Sequence, residues 1–231
     1  MRHFLRLTTI STLLLVYGCA QLPTPIVQKA TTAPPPAWVQ PSGTAWKIDS
    51  DALIAVTVRR GGALARLGHD HVVAARTLRG WAYPGTGTEP ARAAFTFRLD
   101  AMVVDDEALR TQAGLANTPS ADAIAGTRRN MLTKVLDAEH YPEVLVQAEQ
   151  SSAGALNADI TLHGVTRRYT IPAAIDRQAG SISATGKFTL LQSDFGITPF
   201  SVLGGALAVQ DQLELRFAIR AAPSRTPVIP N

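Results

Sequence analysis

Gln212-Leu213-Glu214-Leu215-Arg216-Phe217-Ala218-Ile219-Arg220 puts an apolar residue at every odd position and, Ala218 apart, a polar one at every even position. A period of two is the signature of a β-strand with one face in a core and the other in water. The same signature recurs upstream. Phe95, Phe97, Leu99 and Ala101 alternate with Thr96, Arg98 and Asp100, and Val144, Val146 and Ala148 alternate with Glu143, Gln147 and Glu149. Leu156 to Leu162, Tyr169 to Ile175 and Ile182 to Leu190 repeat it, Leu53, Ala55 and Thr57 oppose Ile54, Val56 and Val58, and Val72 to Tyr83 forms a further run. Turn signals separate the runs: Arg59-Arg60-Gly61-Gly62, Pro84-Gly85-Thr86-Gly87 and Gln178-Ala179-Gly180.

About eight strands, each with one apolar face, share one interior. Closing such a meander on itself removes its exposed edges, which predicts an all-β, eight-stranded antiparallel up-and-down barrel. A two-sheet sandwich with a filled core has the same alternation. Several positions read as inward are small (Ala55, Ala101, Ala148, Ala158, Ala173 and Ala184), which favours a hollow interior over a filled one. The pattern breaks between Val104 and Tyr141, where Ile124, Met131, Leu132, Val135 and Leu136 recur at helical spacing behind Asp122 as a cap. This predicts a helical insertion between strands 3 and 4, ended by His140-Tyr141-Pro142.

The ends of the chain have a different character. Residues 1–18 join a basic start (Arg2, Arg6) to an apolar run from Ile10 to Val16, too short to span a bilayer, and read as a signal peptide. Val16-Tyr17-Gly18-Cys19 resembles the lipobox of bacterial lipoproteins, which implies acylation of Cys19 and, with Ala20 next, sorting to the outer membrane on its periplasmic side. Cys19 is the sole cysteine, so no disulfide forms within the chain. Residues 19–44 carry Pro23, Pro25, Pro34, Pro35, Pro36 and Pro41 and read as a tether, with the barrel at 45–222 and a loose tail at 223–231. The net charge is +4, and loss of Arg2 and Arg6 leaves the remainder only slightly basic. No Lys/Arg block is interleaved with aromatics, which argues against a nucleic-acid partner.

Leu67-Gly68-His69-Asp70-His71-Val72 is the most chemically loaded stretch. If it is extended, both imidazoles share one face and Asp70 takes the other. Connections of a meander alternate between barrel ends, so His69, His71, His140 and His163 are expected at one end, with Arg110, Arg128, Arg129 and Asp194. Imidazoles gathered in this way suit a transition metal held by His69, His71 and His163, with Asp70 as ligand or orienter. The competing reading is a polar rim that contacts a ligand head group through His69, His71, His163, Arg128 and Arg129. A general base formed by His69 and Asp70 lacks a serine or cysteine nucleophile in a recognisable elbow, so the chain reads as non-enzymatic.

Trp46-Lys47-Ile48-Asp49, Asn130-Met131-Leu132 through His140-Tyr141-Pro142, Leu162-His163-Gly164-Val165-Thr166-Arg167 and Asp194-Phe195-Gly196-Ile197 together resemble the YceI-like family of periplasmic lipid-binding proteins. The resemblance implies an extended lipocalin-like barrel whose apolar tunnel holds a long-chain amphiphile of polyisoprenoid, quinone or fatty-acid type. Phe95, Phe97, Leu99, Phe188, Leu215 and Phe217 are then the expected lining. Under this reading the bound isoprenoid lipid, not a cofactor, is the partner; the alternative is a metal-binding protein that uses the histidine end.

Overall fold

The computed structural model describes residues 44–86, 89–152 and 154–223. The expected signal peptide at 1–18, Cys19 and the expected tether up to residue 43 lie outside the described residues, as does the tail beyond Pro223. Twelve strands form one sheet: β1 (Trp46–Ile48), β2 (Leu53–Gly61), β3 (His71–Ala75), β4 (Arg79–Tyr83), β5 (Arg92–Arg98), β6 (Val103–Val104), β7 (Glu143–Ser152), β8 (Ala155–Leu162), β9 (Val165–Gln178), β10 (Ser181–Leu191), β11 (Ser201–Val202) and β12 (Leu207–Pro223). Eight of them close a ring in the order β1-β4-β5-β7-β8-β9-β10-β12, and β12 pairs back onto β1. Every pairing is antiparallel. The expected all-β up-and-down barrel is the observed one.

The run Val72 to Tyr83 is broken into β3 and β4, and two short strands, β1 and β6, lie outside the runs read from the sequence. β1 and β2 both lie along β12, β4 and β3 lie along them in turn, and β5 and β6 follow on β4 and β3. The break between β5 and β6 is a single 3-10 turn, Leu99–Ala101. Six strands therefore precede the helical insertion. It lies between β6 and β7, not between strands 3 and 4 as the unbroken reading had it.

That insertion contains α1 (Glu107–Gln112) and α2 (Ala121–Asn130), and α2 runs on into a π-helical turn, Met131–Val135. Asp106 caps α1 by accepting from the Leu109 N–H at 3.0 Å. Ser120, not Asp122, caps α2, accepting from the Ala123 N–H at 3.3 Å. Asp122 sits in the first turn instead, where its charge favours the helix N-terminus. Ile124, Met131, Leu132, Val135 and Leu136 all pack against the barrel core, as their spacing predicted.

Helix α1 explains why burial along β3 does not alternate. Val72, Val73, Ala74 and Ala75 of β3 are all buried, because Leu109 covers the outer face of the sheet at Ala55, Val72 and Ala74. Ala55 is therefore packed outward beneath α1; Ile54, Val56 and Val58 of the same strand face the interior. Ala101 also leaves the interior, since the 3-10 turn exposes it.

Gly80 shows how closely the ring is drawn together. A Cβ there would lie 2.1 Å from the Ala94 carbonyl oxygen and 2.5 Å from the Phe95 Cα of the neighbouring β5. Backbone on a paired strand cannot yield as a side-chain end can. We expect Gly80→Ala to destabilise the barrel by about 1–3 kcal/mol, read as a lowered urea midpoint; an unchanged midpoint would refute the account.

Candidate functional site

A cavity of about 490 Å³ runs inside the barrel. Its lining comes from every strand of the closed ring except β1, together with β2 and β3, and it reaches from Arg60 and His69 at one end to Arg92 and Ser183 at the other. Side chains such as Val56, Val146, Ile160 and Ile219 make it almost wholly apolar. The volume is within the range of small-molecule sites, about 300–1,000 Å³. Phe95, Phe97, Leu99, Phe188, Leu215 and Phe217 all border it, as do the small residues Ala148, Ala158 and Ala184. Phe188 and Phe217 meet edge to face at 6.5 Å, and Phe188 approaches the buried Tyr169 at 6.1 Å.

Tyr169 is fully buried, and its hydroxyl donates to Asp194 Oδ2 at 3.1 Å. Burial, reinforced by the Asp194 charge, pushes the phenol well above its ordinary pKa, so it stays a neutral donor. Asp194 lies in the 3-10 turn Gln192–Phe195, whose Phe195 is also fully buried and stacks on Tyr169. This contact ties the connection between β10 and β12 to the barrel wall.

The mouth of the cavity lies where the connection from β2 to β3 meets the one from β10 to β12. Arg60, Leu67, Gly68, His69 and His71 come from the first, Gln192, Phe200 and Leu207 from the second, and Thr127 and Asn130 from α2. The Leu64 N–H donates to the Ala206 carbonyl at 2.7 Å, joining the two connections. His69 and His71 do share one face, with ring centroids 6.2 Å apart, and both border the cavity. Asp70 takes the other face. There it accepts from the Arg60 N–H at 2.9 Å and from the Arg59 guanidinium at 3.5 Å.

His71 is fixed from behind. Its Nδ1 lies 2.6 Å from Asp105 Oδ2, and Nε2 faces Thr127 Oγ1 at 3.3 Å. Asp105 also accepts from the Val72 N–H at 3.0 Å and from Arg110 at 2.6 Å. Arg110 in turn donates to the carbonyls of Asp70 and Asn117. Asp105 has a φ of 57°, a left-handed conformation that Asp tolerates better than most residues. Burial alone would raise its carboxyl pKa. The His71 and Val72 N–H bonds, the His71 charge and Arg110 together outweigh this and hold it below the usual carboxylate range. The network connects a cavity-lining ring to both helices of the insertion.

The remaining residues expected at this site are placed differently. All four histidines fall at the same barrel end, on or beside alternate connections. They do not converge. His140 is exposed and paired with Asp137 at 2.9 Å, and His163 lies against Tyr141 in a tilted ring contact at 4.6 Å. Among the described residues no group of three or more His, Cys, Asp or Glu side chains is placed to hold a metal ion, so the set His69, His71 and His163 is not assembled. Arg128 donates to the backbone carbonyls of Met102 and Asp100, pinning α2 to the turn before β6. Arg129 is exposed, and neither arginine borders the cavity. Arg110 is buried beneath Asp105.

Asp105, Thr127, Asn130 and Gln192 were not legible as site residues. Their role comes from contacts between distant segments, and no local pattern marks it.

A family model described as the YceI-like domain matches residues 69–221. Among solved structures, BcnA from Burkholderia cenocepacia is similar at 12% identity and a TM-score of 0.55, over 76% of this chain and 99% of that one. A polyisoprenoid binding domain from Saccharophagus degradans, implicated in plant cell wall breakdown, is similar at 12% identity and a TM-score of 0.54, over 79% of this chain and 100% of that one. Likeness at this identity concerns the fold. No curated protein matches the chain.

Proposed function

The chain belongs to the YceI-like domain family, and from that premise we propose that it is a binding protein, not an enzyme, whose barrel holds one long-chain amphiphile. The observation that carries this reading is the continuous apolar cavity, with its few polar groups collected at the ends. The polyisoprenoid binding domain that shares the fold supports an isoprenoid-type ligand. Burial of the chain supplies the affinity, roughly 0.8 kcal/mol per methylene removed from water. His69, His71, Asn130 and Gln192 at the mouth orient the polar head. The N-terminal pattern ending at Cys19 supports a periplasmic protein held to the outer membrane by acyl chains, two or more of which suffice for stable attachment.

Mass spectrometry of organic extracts from the purified protein tests the reading. A long-chain isoprenoid, quinone or acyl compound is expected at near-stoichiometric amount. Extracts free of any such compound, from protein that also fails to take up an added polyprenyl alcohol, would overturn it.

A further inference from the structure

The mouth bears an exposed apolar lobe that no part of the fold explains. Leu203 is 71% exposed and Leu67 64%, and Val202 beside them is also exposed. Residues 201–205 are exposed without a break. Leu203 has a φ of 54° and is followed by two glycines that are also left-handed. The left-handed region is unfavourable for an L-residue, so a large apolar side chain is held in water on a strained backbone. Strain of this kind persists where function requires it.

The exposed charge nearest the lobe is cationic. Residues 62–69 and 195–206 of the two connections that form it contain no Asp or Glu, and Asp194, early in the second connection, accepts from the buried Tyr169 hydroxyl. Arg66 sits one residue from Leu67 and is exposed. Lys134, from the π-helical turn, is poised over the Phe200 ring at 5.8 Å. The nearest carboxylate along the chain, Asp70, is occupied by Arg59 and Arg60.

We propose that this lobe, centred on Leu67, Val202 and Leu203, inserts into the surface of an anionic lipid bilayer and sets the cavity mouth against it. Apolar tips flanked by cations, here Arg66 and Lys134, are the composition of an interfacial contact. The choice of a bilayer over a protein partner rests on the cavity reading, because an apolar-chain ligand would enter and leave beside the lobe without crossing water. Leu67 and Leu207 border both the cavity and the lobe.

The test uses the full chain with Cys19→Ser, so that one introduced thiol can be labelled. An environment-sensitive fluorophore is placed at Ser201→Cys, and in a second protein at Gln178→Cys at the opposite end. Both are mixed with vesicles of phosphatidylglycerol and phosphatidylethanolamine that contain brominated acyl chains. The probe at 201 should be quenched at least threefold more than the probe at 178. Leu67→Ser with Leu203→Ser should abolish the difference, and Arg66→Glu should reduce it. Equal quenching at both positions, or none at either, overturns docking, as does a probe at 201 that is shielded only by self-association without vesicles. A barrel that still yields an extracted lipid in that case leaves the binding reading intact, so the two failures are distinguishable.

Discussion

Asp105→Ala is expected to lower the unfolding free energy by about 3–5 kcal/mol, the cost of leaving one partner of a buried ion pair uncompensated. The Asp105 carboxylate has no exposed surface and the Arg110 side chain is 4% exposed. Nε of Arg110 already lacks a partner, so removal of the carboxylate strands more of a buried cation. The change also frees His71 and the Val72 N–H, and it places alanine in the left-handed region. Asp105→Asn keeps the shape and most of the hydrogen bonds and should cost less. The carboxyl pKa is depressed on folding, so its contribution is complete above the unfolded value of about 4 and is lost as pH falls through the lower folded value. Urea midpoints taken from about pH 7 to about pH 2.5 should therefore fall more steeply for the wild type than for Asp105→Asn. Parallel curves, or a cost below about 1 kcal/mol for Asp105→Ala, would show that the network contributes little.

The second large effect concerns the cavity. Ala184 pairs with Ile175 on one side and Ile219 on the other, and all three side chains border the hollow. Ala184→Trp should fill the part of the hollow away from the mouth and reduce co-purified or added polyprenyl ligand at least tenfold, while circular dichroism stays that of a β-barrel. A packed interior and a hollow one give opposite results. Extra volume forced into a close-packed core costs about 1–3 kcal/mol, whereas an indole placed in an empty lumen gains contacts. The ligand-free variant should accordingly be at least as stable as the ligand-free wild type. Comparison of ligand-free forms matters, because bound ligand itself stabilises the wild type by mass action. Unimpaired ligand uptake would move the site elsewhere.

The barrel was legible because its strands bury one face each. Wherever a second layer covers the sheet, the signal disappears: α1 over Ala55 and Val72 turns an alternating strand into a continuous apolar run, and Ala55 then reads as lining when it is roof. The short strands β1, β6 and β11 hold two or three residues each, fewer than a period can reveal. Alternation put Phe95, Phe97, Phe188 and Phe217 on inward faces, and the family resemblance made those faces a cavity lining. The polar end did not follow from composition, because His69 and His71 are two residues apart while the groups that position His71 come from Asp105 and Thr127, far along the chain. Connection parity could bring four histidines to one end; it could not say that His140 and His163 would find local partners there.

Strand β12 joins both flanks of the sheet, with β10 on one side and β1 and β2 on the other. Until Leu207–Pro223 is in place, the chain has two bare sheet edges and an open, apolar trough. Closure thus waits on the most non-local pairings in the molecule, the kind that slow folding to milliseconds or longer. During that interval the edges can accept a strand from another copy as readily as their own. The seam that seals the barrel is thus also the place where two half-folded copies would exchange strands.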